Sequence, residues 1–401
     1  MPKITYQCTW CRDESANNSV QTICNCGKPL ELVFDWENRP PIKNDLDPDN
    51  KTLWKYRDVL APIDDDYIIT LGEGWTPIAD GVDYNDVKIF FKDESVNPTG
   101  SFKDRGMSMA VSHARQNGVS EVCLPSAGNA GVSASAYCQE AEIKCHVFLP
   151  ETIPPSFIDA TKEYGADLRL GGRTIAHAAS MMREEMKKEW FDLSTLKEPF
   201  RVEGKKTMGY EIAEQLDWTL PDVVVYPTGG GTGLIGMWKA FNEMINLGWV
   251  AQKETGMPRM VVVQSDGCAP IVKAFAEGLQ ENDLWEESHT EALGLNVPSP
   301  LGGAWMLKTL RDSGGIALMV DEAQIIEASH EVNELSCVDG SCEDGVSWLG
   351  FKTLVKAGWI RKGEKVVIPI TGAAERYISV SYTHLRAHET LRYLVCRLLL
   401  E

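Results

Sequence analysis

Lys103 stands in the run Asn97-Pro98-Thr99-Gly100-Ser101-Phe102-Lys103-Asp104-Arg105-Gly106, behind a Pro-Thr-Gly turn and at the start of a long helical pattern. An amine held there by backbone on both sides, and partly desolvated, can lose its proton and form an imine with an aldehyde. The competing reading is a solvated lysine in a Lys-Asp-Arg cluster at a helix start. Two further segments weigh against it. Ser126-Ala127-Gly128-Asn129-Ala130-Gly131 follows the apolar run Glu121-Val122-Cys123-Leu124-Pro125 and opens a small-residue helical pattern through Tyr137, which reads as a strand-turn-helix corner. Asn129 there offers an amide donor and acceptor beside exposed backbone N–H groups, suited to a phenolic oxygen or a carboxylate; otherwise it is a helix cap.

Gly229-Gly230-Gly231-Thr232-Gly233 comes straight after the buried-strand run Val223-Val224-Val225-Tyr226-Pro227 and before a helical pattern from Leu234 to Ile245. Its glycines allow a ligand close to the backbone, and the helix N-terminus behind them favours a phosphate. The same stretch holds Gly231-x-Gly233-x-x-Gly236, a dinucleotide fingerprint, with Asp266 near the end of the next strand pattern. That alternative is weaker, because Asp266 lies beyond the roughly 20 residues expected of a ribose-binding acid and a nicotinamide site leaves Lys103 and Asn129 idle. A Walker lysine is absent, since Leu234 follows Thr232-Gly233.

The elements that must carry these residues alternate. Strand-like runs are Val87 to Phe91, Val122 to Leu124, Ile143 to Leu149, Asp167 to Leu170, Val223 to Tyr226, Met260 to Gln264 and Val366 to Ile370. Between them lie helix-length patterns such as Ser101 to Gln116, Thr174 to Glu189 and Ala323 to Leu335, with a further helical segment around Leu53 to Leu60. Such alternation predicts an α/β chain of parallel sheets covered by helices, whose ligands gather at the carboxyl ends of the strands, where Asn129 and Gly229 to Gly233 would lie.

With Leu71-Gly72-Glu73-Gly74-Trp75-Thr76-Pro77, Arg201-Val202-Glu203-Gly204-Lys205-Lys206-Thr207 and Thr371-Gly372, these motifs span about residues 70 to 377. In that order and spacing the chain resembles the threonine synthases, within the pyridoxal-phosphate (PLP) enzymes of the tryptophan-synthase-β fold type. The resemblance implies two parallel-sheet subdomains, with a smaller one nested at about 105–195 inside a catalytic region of 36–377. It also implies roles. Lys103 would hold PLP as a Schiff base and move protons, Phe102 would pack beside the ring, and Asn129 would bond its phenolic oxygen. Gly229 to Gly233 with Thr232 would hold the cofactor phosphate, and Thr371 would face the pyridine nitrogen as a hydroxyl rather than an acid.

The family converts O-phosphohomoserine and water to L-threonine and phosphate by γ-elimination and β-addition, which requires a second anion pocket. Thr99, Ser101 and Lys205 are the candidates for it, with Ser126 and neighbouring N–H groups for the substrate carboxylate; Lys205 and Lys206 are otherwise surface lysines. A related PLP lyase, of the threonine dehydratase or diaminopropionate ammonia-lyase type, would share the cofactor residues and lack the second pocket. Ala373-Ala374 stands where the family has Ser-Gly.

Of the eleven cysteines, Cys8, Cys11, Cys24 and Cys26 fall together as Cys-x2-Cys and Cys-x-Cys-Gly in a ribbon-like arm, residues 1–35. Four thiolates there could hold a structural tetrahedral zinc, although the second pair departs from Cys-x2-Cys and a metal-free arm is the alternative; a non-enzymatic role as a zinc-dependent interaction module also follows from such an arm. Disulfides do not suit a cytosolic chain. The 401 residues carry a formal charge of −19, which disfavours nucleic acid and anionic membranes as partners. No apolar run reaches about 18 residues and no signal-peptide core follows Met1, so a cytoplasmic address is expected. A homodimer is expected from the fold type. After Tyr377 the basic stretch from Ser379 to Thr390 is unlike the rest, and residues 378–401 are expected to be a tail foreign to the fold rather than an amphipathic helix.

Overall fold

The computed structural model describes residues 3–16, 20–79, 81–251 and 256–377, so the expected foreign tail lies outside the described residues. The arm is a small antiparallel sheet of β1 (Lys3–Cys8), β2 (Glu14–Ala16) and β3 (Leu30–Asp35), in the order β2-β1-β3. There follow β4 (Val82–Tyr84), β5 (Val87–Asp93), α1 (Lys103–Gln116), β6 (Glu121–Pro125), α2 (Asn129–Glu140), β7 (Lys144–Leu149) and α3 (Pro155–Glu163). Next come β8 (Asp167–Leu170), α4 (Ile175–Glu185), β9 (Phe191–Asp192), α5 (Phe200–Gln215), β10 (Val223–Pro227), α6 (Thr232–Asn246) and β11 (Arg259–Ser265). The described chain ends with α7 (Pro270–Ala276), α8 (Gly303–Asp312), β12 (Ile316–Val320), α9 (Ile325–Ser336), α10 (Cys342–Lys356) and β13 (Lys365–Ile370).

Two sheets follow from this order. One has six strands, β12-β11-β10-β13-β5-β4, parallel except for the edge pair β4–β5; the other has four parallel strands, β8-β7-β6-β9. The β-branched run of β10 is buried throughout, as a central parallel strand must be. Alternate residues serve opposite faces. Val224 and Tyr226 of β10, with Met260 and Val262 of β11, join the core under α5, α6 and α8; Val223, Val225, Val261 and Val263 join the core under α9 and α10. A third core unites the four-stranded sheet with α1, α2 and Tyr6, Cys8, Leu30 and Leu32 of the arm.

The expected strands formed within a residue or two of their sequence limits. Three in the catalytic region went unforeseen: β9 has two residues, β4 is a short edge, and β12 is a half-exposed edge behind Gly314-Gly315 with little apolar alternation. The segment from Leu53 to Val59 winds as a 3₁₀ helix rather than an α-helix, kinked at Tyr56.

Between the two sheets, α1 packs on α5 and α2, and the α1–α5 junction is held by charge. Arg105 bonds Glu94 through Nε (2.6 Å) and Nη2 (2.7 Å), and Glu211 through Nη1 (2.6 Å) and Nη2 (2.7 Å). Lys92 reaches the same Glu211 at 2.8 Å, and no side chain of the four is exposed. Burial alone would raise Glu211, but the charges of Arg105 and Lys92 outweigh it and hold the carboxyl at about 2. A carboxyl held below its unfolded value stabilises fully above the usual carboxylate range, and that stability is lost as pH falls toward about 2. Glu211→Gln leaves two buried cations sharing one carboxylate. Urea unfolding of this variant at pH 7 should show a loss of about 3–5 kcal/mol; an unchanged midpoint would remove the junction from the fold's essentials.

Candidate active site

Lys103 is the first residue of α1, and the turn before it is tied down on three sides. Gly100 adopts φ +78°, which favours glycine, and its N–H donates to Asn97 O at 2.7 Å. Asp104 accepts from Thr99 N (2.7 Å), Thr99 Oγ1 (2.5 Å) and Ser133 Oγ (2.6 Å), so the helix start grips its own turn and α2. On the third side Phe102 N donates to Thr371 O at 3.2 Å and Ala373 N to Gly100 O at 2.9 Å, with Ser101 bridged to Gly372. The end of β13 is thereby stitched to the lysine turn. Thr371 N in turn donates to the buried carboxyl of Asp344, at 3.0 Å, and burial raises Asp344 to about 8.

The Lys103 amine lies 3.7 Å from the Phe102 ring centroid. Burial, together with the charge of Arg201, lowers it to about 7 against the opposing charge of Glu343. Lys205 is wholly buried one layer behind, its Nζ 5.7 Å from the same ring, and burial with the Arg201 and Lys103 charges pulls it well below the usual lysine range. Arg201 lies one helical turn before Lys205 on α5. Its Nη1 donates to Leu193 O at 2.7 Å, while its Nε is buried without a partner among the described residues. Two lysine amines therefore lie near one aromatic ring, with the Arg201 charge acting on both, inside a chain of strongly negative charge. The sequence reading left Arg201 out of the site; its i, i+4 spacing to Lys205 was the available signal.

Asn129 is the first residue of α2, at the end of β6. Its Nδ2 donates to Tyr377 Oη at 3.0 Å, and its Oδ1 is buried without a partner among the described residues. Ser126 is committed to the same corner, accepting from Gly128 N at 3.1 Å and Gly131 N at 2.9 Å. Its hydroxyl thus shapes the loop, as the Thr99 hydroxyl does through Asp104. Ser101 is buried and accepts weakly from Lys103 N at 3.4 Å. Lys206 is no surface lysine: it is buried and paired with Glu203 at 2.7 Å and Glu243 at 3.0 Å.

The glycine loop runs from the end of β10 into α6, with Gly231 at φ +78°. Side chains have no room there. A Cβ would stand 2.5 Å from Gly294 O at Gly229, 2.9 Å from Thr195 Cγ2 at Gly230, 2.1 Å from Met306 Sδ at Gly231 and 2.0 Å from Tyr226 Oη at Gly233. What remains is a turn of bare amides closed by Thr232 at the helix start, a nest for an anion. Gly236 instead faces the backbone of Lys205 and Lys206 across the α5–α6 packing, and Asp266 accepts from Glu322 N at 3.1 Å, which gives the dinucleotide fingerprint a packing explanation.

A low-pKa lysine at a helix start, an orphaned amide at one strand end and an amide nest at another define an α/β enzyme built around a phosphorylated, carbonyl-bearing cofactor. The chain belongs to the pyridoxal-phosphate dependent enzymes, whose family model matches residues 69–372. Its relatives include the threonine synthase of Methanocaldococcus jannaschii, 30% identical over 91% of both chains. The threonine synthase of Halalkalibacterium halodurans is 31% identical over 80% of this chain and 88% of its own. Among solved structures the fold is shared with maize serine racemase (TM-score 0.65, 19% identity, 79% of this chain and 93% of that one). It is shared also with an L-serine ammonia-lyase from Rhizomucor miehei (TM-score 0.66, 18% identity, 78% and 97%). The residues suit the cofactor on this structure's own terms: the unpartnered Asn129 Oδ1, the glycine turn that opens α6, and the near-neutral amine.

In cofactor-free protein, acylation of Lys103 followed by peptide mass spectrometry should rise with pH through a midpoint near 7, against about 10.4 for ordinary lysines. A midpoint near 10 would contradict the desolvated site.

Proposed function

We propose that this enzyme converts O-phosphohomoserine and water to L-threonine and phosphate. The observation that carries the reading is the pairing of two candidate anion sites of different kind: the glycine turn at Gly229 to Gly233, and the buried Lys205 near the Phe102 ring with the buried Arg201 one turn before it on α5. A lyase acting on unphosphorylated amino acids has no use for the second. Relatives at about 30% identity that are named threonine synthase support the choice.

In this reading PLP supplies an aldehyde that bonds the substrate amine and a ring that takes up the electron pair left at Cα. Asn129 would hold its phenolic oxygen, Gly229 to Gly233 with Thr232 its phosphate, Phe102 its face, and Thr371 its pyridine nitrogen as a hydroxyl that leaves this nitrogen largely unprotonated. The protein's own work is proton transfer and charge placement. Lys103, near-neutral at working pH, would carry the protons that leave Cα and Cβ one at a time, giving up the first before it accepts the second. Arg201 and Lys205 stabilise the phosphate that departs from Cγ, a role in which buried cations gain from low dielectric. A water then adds its hydroxyl at Cβ, and the lysine returns protons to carbon. The Ser126 loop, with its Gly128 and Gly131 N–H groups turned inward to the serine, shapes the corner against which the substrate carboxylate would lie. Thr99 and Ser101 act by fixing the lysine turn.

We also propose that Cys8, Cys11, Cys24 and Cys26 of the arm, residues 1–35, hold one structural zinc. With four ligands it has no open position for chemistry. The catalytic region 36–377 then contains the nested subdomain at about 105–195. A cytoplasmic homodimer completes the reading; Cys123, Cys138, Cys145, Cys268 and Cys342 are free thiols, and among the described residues no helix is long and apolar enough to cross a membrane.

Purified protein with added PLP should release phosphate and threonine in equal amounts from O-phosphohomoserine. Ammonia release from threonine or serine without phosphate turnover would move the enzyme to the lyase class. Lys103→Ala should lose at least about a thousandfold in kcat, as a positioned proton carrier does. Lys205→Ala should raise KM for the phosphorylated substrate about tenfold or more.

A further inference from the structure

Three parts of the cofactor site meet at the exit of β13. Thr371 O accepts from Phe102 N at 3.2 Å, beside Lys103, and Ala373 N donates to Gly100 O at 2.9 Å. Gly372 lies against the corner of α2, where a Cβ on it would stand 3.1 Å from Asn129 Nδ2. A shift of this segment therefore disturbs the lysine turn, the Asn129 amide and the expected partner of the ring nitrogen together. Its other side rests on the turn before α10: Gly340 is bridged to Ala373, and Ala374 N donates to Asp339 O at 3.2 Å. The sheet itself does not hold Thr371, because β13 ends its pairing with β5 at Ile370, opposite Asp93.

What holds it is Asp344. This residue is the third of α10 and forms a capping box with Ser341: its Oδ2 accepts from Ser341 N at 2.7 Å and from Ser341 Oγ at 3.0 Å. One oxygen is enough for that cap. The other, Oδ1, reaches out of the helix and accepts from Thr371 N at 3.0 Å, 27 residues further on. Both backbone polar groups of Thr371 are thus committed, N–H to Asp344 and C=O to Phe102, which fixes its peptide planes and so the direction in which its side chain leaves the chain. Asp344 is wholly buried, so a Thr371 N–H deprived of it is not simply rehydrated. Burial, with the charge of Glu343, raises the carboxyl against these hydrogen bonds. A largely protonated acid brings little negative charge behind Thr371, which agrees with a hydroxyl partner that leaves the ring nitrogen unprotonated.

We propose that Asp344 is a positioning residue of the cofactor site, holding Thr371 by its backbone so that the threonine hydroxyl, the Lys103 turn and Asn129 serve one cofactor ring. The inference rests on the assignment of Thr371 to the ring nitrogen made above. It gives Asp344 a duty beyond the cap of its own helix, without placing it in contact with cofactor or substrate.

The test separates this duty from helix capping. The full chain is dialysed to equilibrium against graded PLP, occupancy is read from the imine absorbance, and urea unfolding is followed on the same proteins. Asp344→Ala removes both duties and should bind PLP about tenfold more weakly. Asp344→Asn keeps an oxygen for Thr371 N and the neutrality of the acid, and should bind within about twofold of the wild type. Ser341→Ala removes only the cap hydroxyl, so it should lower the urea midpoint and leave PLP affinity as it was. Thr371→Val should lose about as much affinity as Asp344→Ala, and the double variant little more than either. Wild-type affinity in Asp344→Ala, a loss no larger than that of Ser341→Ala, or additive losses in the double variant would overturn the proposal and leave Asp344 a helix cap. Wild-type affinity in Thr371→Val would overturn the assignment on which it rests, and a wild-type chain that forms no imine would overturn the cofactor reading itself. Asp344→Ser, whose hydroxyl is one bond shorter and keeps a polar group for the cap, repeats the comparison where the alanine variant does not fold.

Discussion

Arg105 is buried between two carboxylates, and most of what matters in this molecule is attached to one of the three. Glu94 follows β5, Glu211 lies on α5, and Arg105 is two residues from the reactive lysine on α1. The segment carrying Leu71 to Pro77 joins them, with Trp75 N donating to Glu211 at 2.7 Å and Thr76 Oγ1 to Glu94 at 2.7 Å. A buried guanidinium tolerates this position only while both partners are in place, because each charge without its partner would bear the full cost of desolvation. The helix that starts at Lys103 is therefore locked in rotation and height relative to α5. That registry is what lets Lys103 and Lys205 lie near one ring.

The same physics shapes the lysines inside this chain of net charge −19. Lys103, Lys205 and Arg201 act on one another in the protein's interior, with Glu343, Glu198 and Asp104 opposing them. Burial lowers the affinity of each amine for its proton, and the neighbouring cations lower it further.

Much of this was legible in the sequence, and the part that was not has a consistent character. Lys103, Asn129 and the glycine loop are each set by a contiguous motif beside a β-branched strand, so strand end and helix start could be read together. The action of the Arg201 charge on Lys103 was not legible, because it arises from the packing of α1 on α5, about a hundred residues apart. The hydroxyls of Thr99 and Ser126 read as free donors; in the fold Asp104 and the Gly128 corner use them. The strand β12 escaped notice because an edge strand with exposed Met319 lacks the apolar alternation that identifies strands.

The central claim is that this fold presents one particular amine to the cofactor. The most direct measurement is borohydride reduction of PLP-loaded protein followed by peptide mapping. The account predicts a single reduced pyridoxyl group, on the peptide that carries Lys103, in near-stoichiometric yield. Label on Lys205, or spread over several surface lysines with Lys103 unmodified, would contradict it.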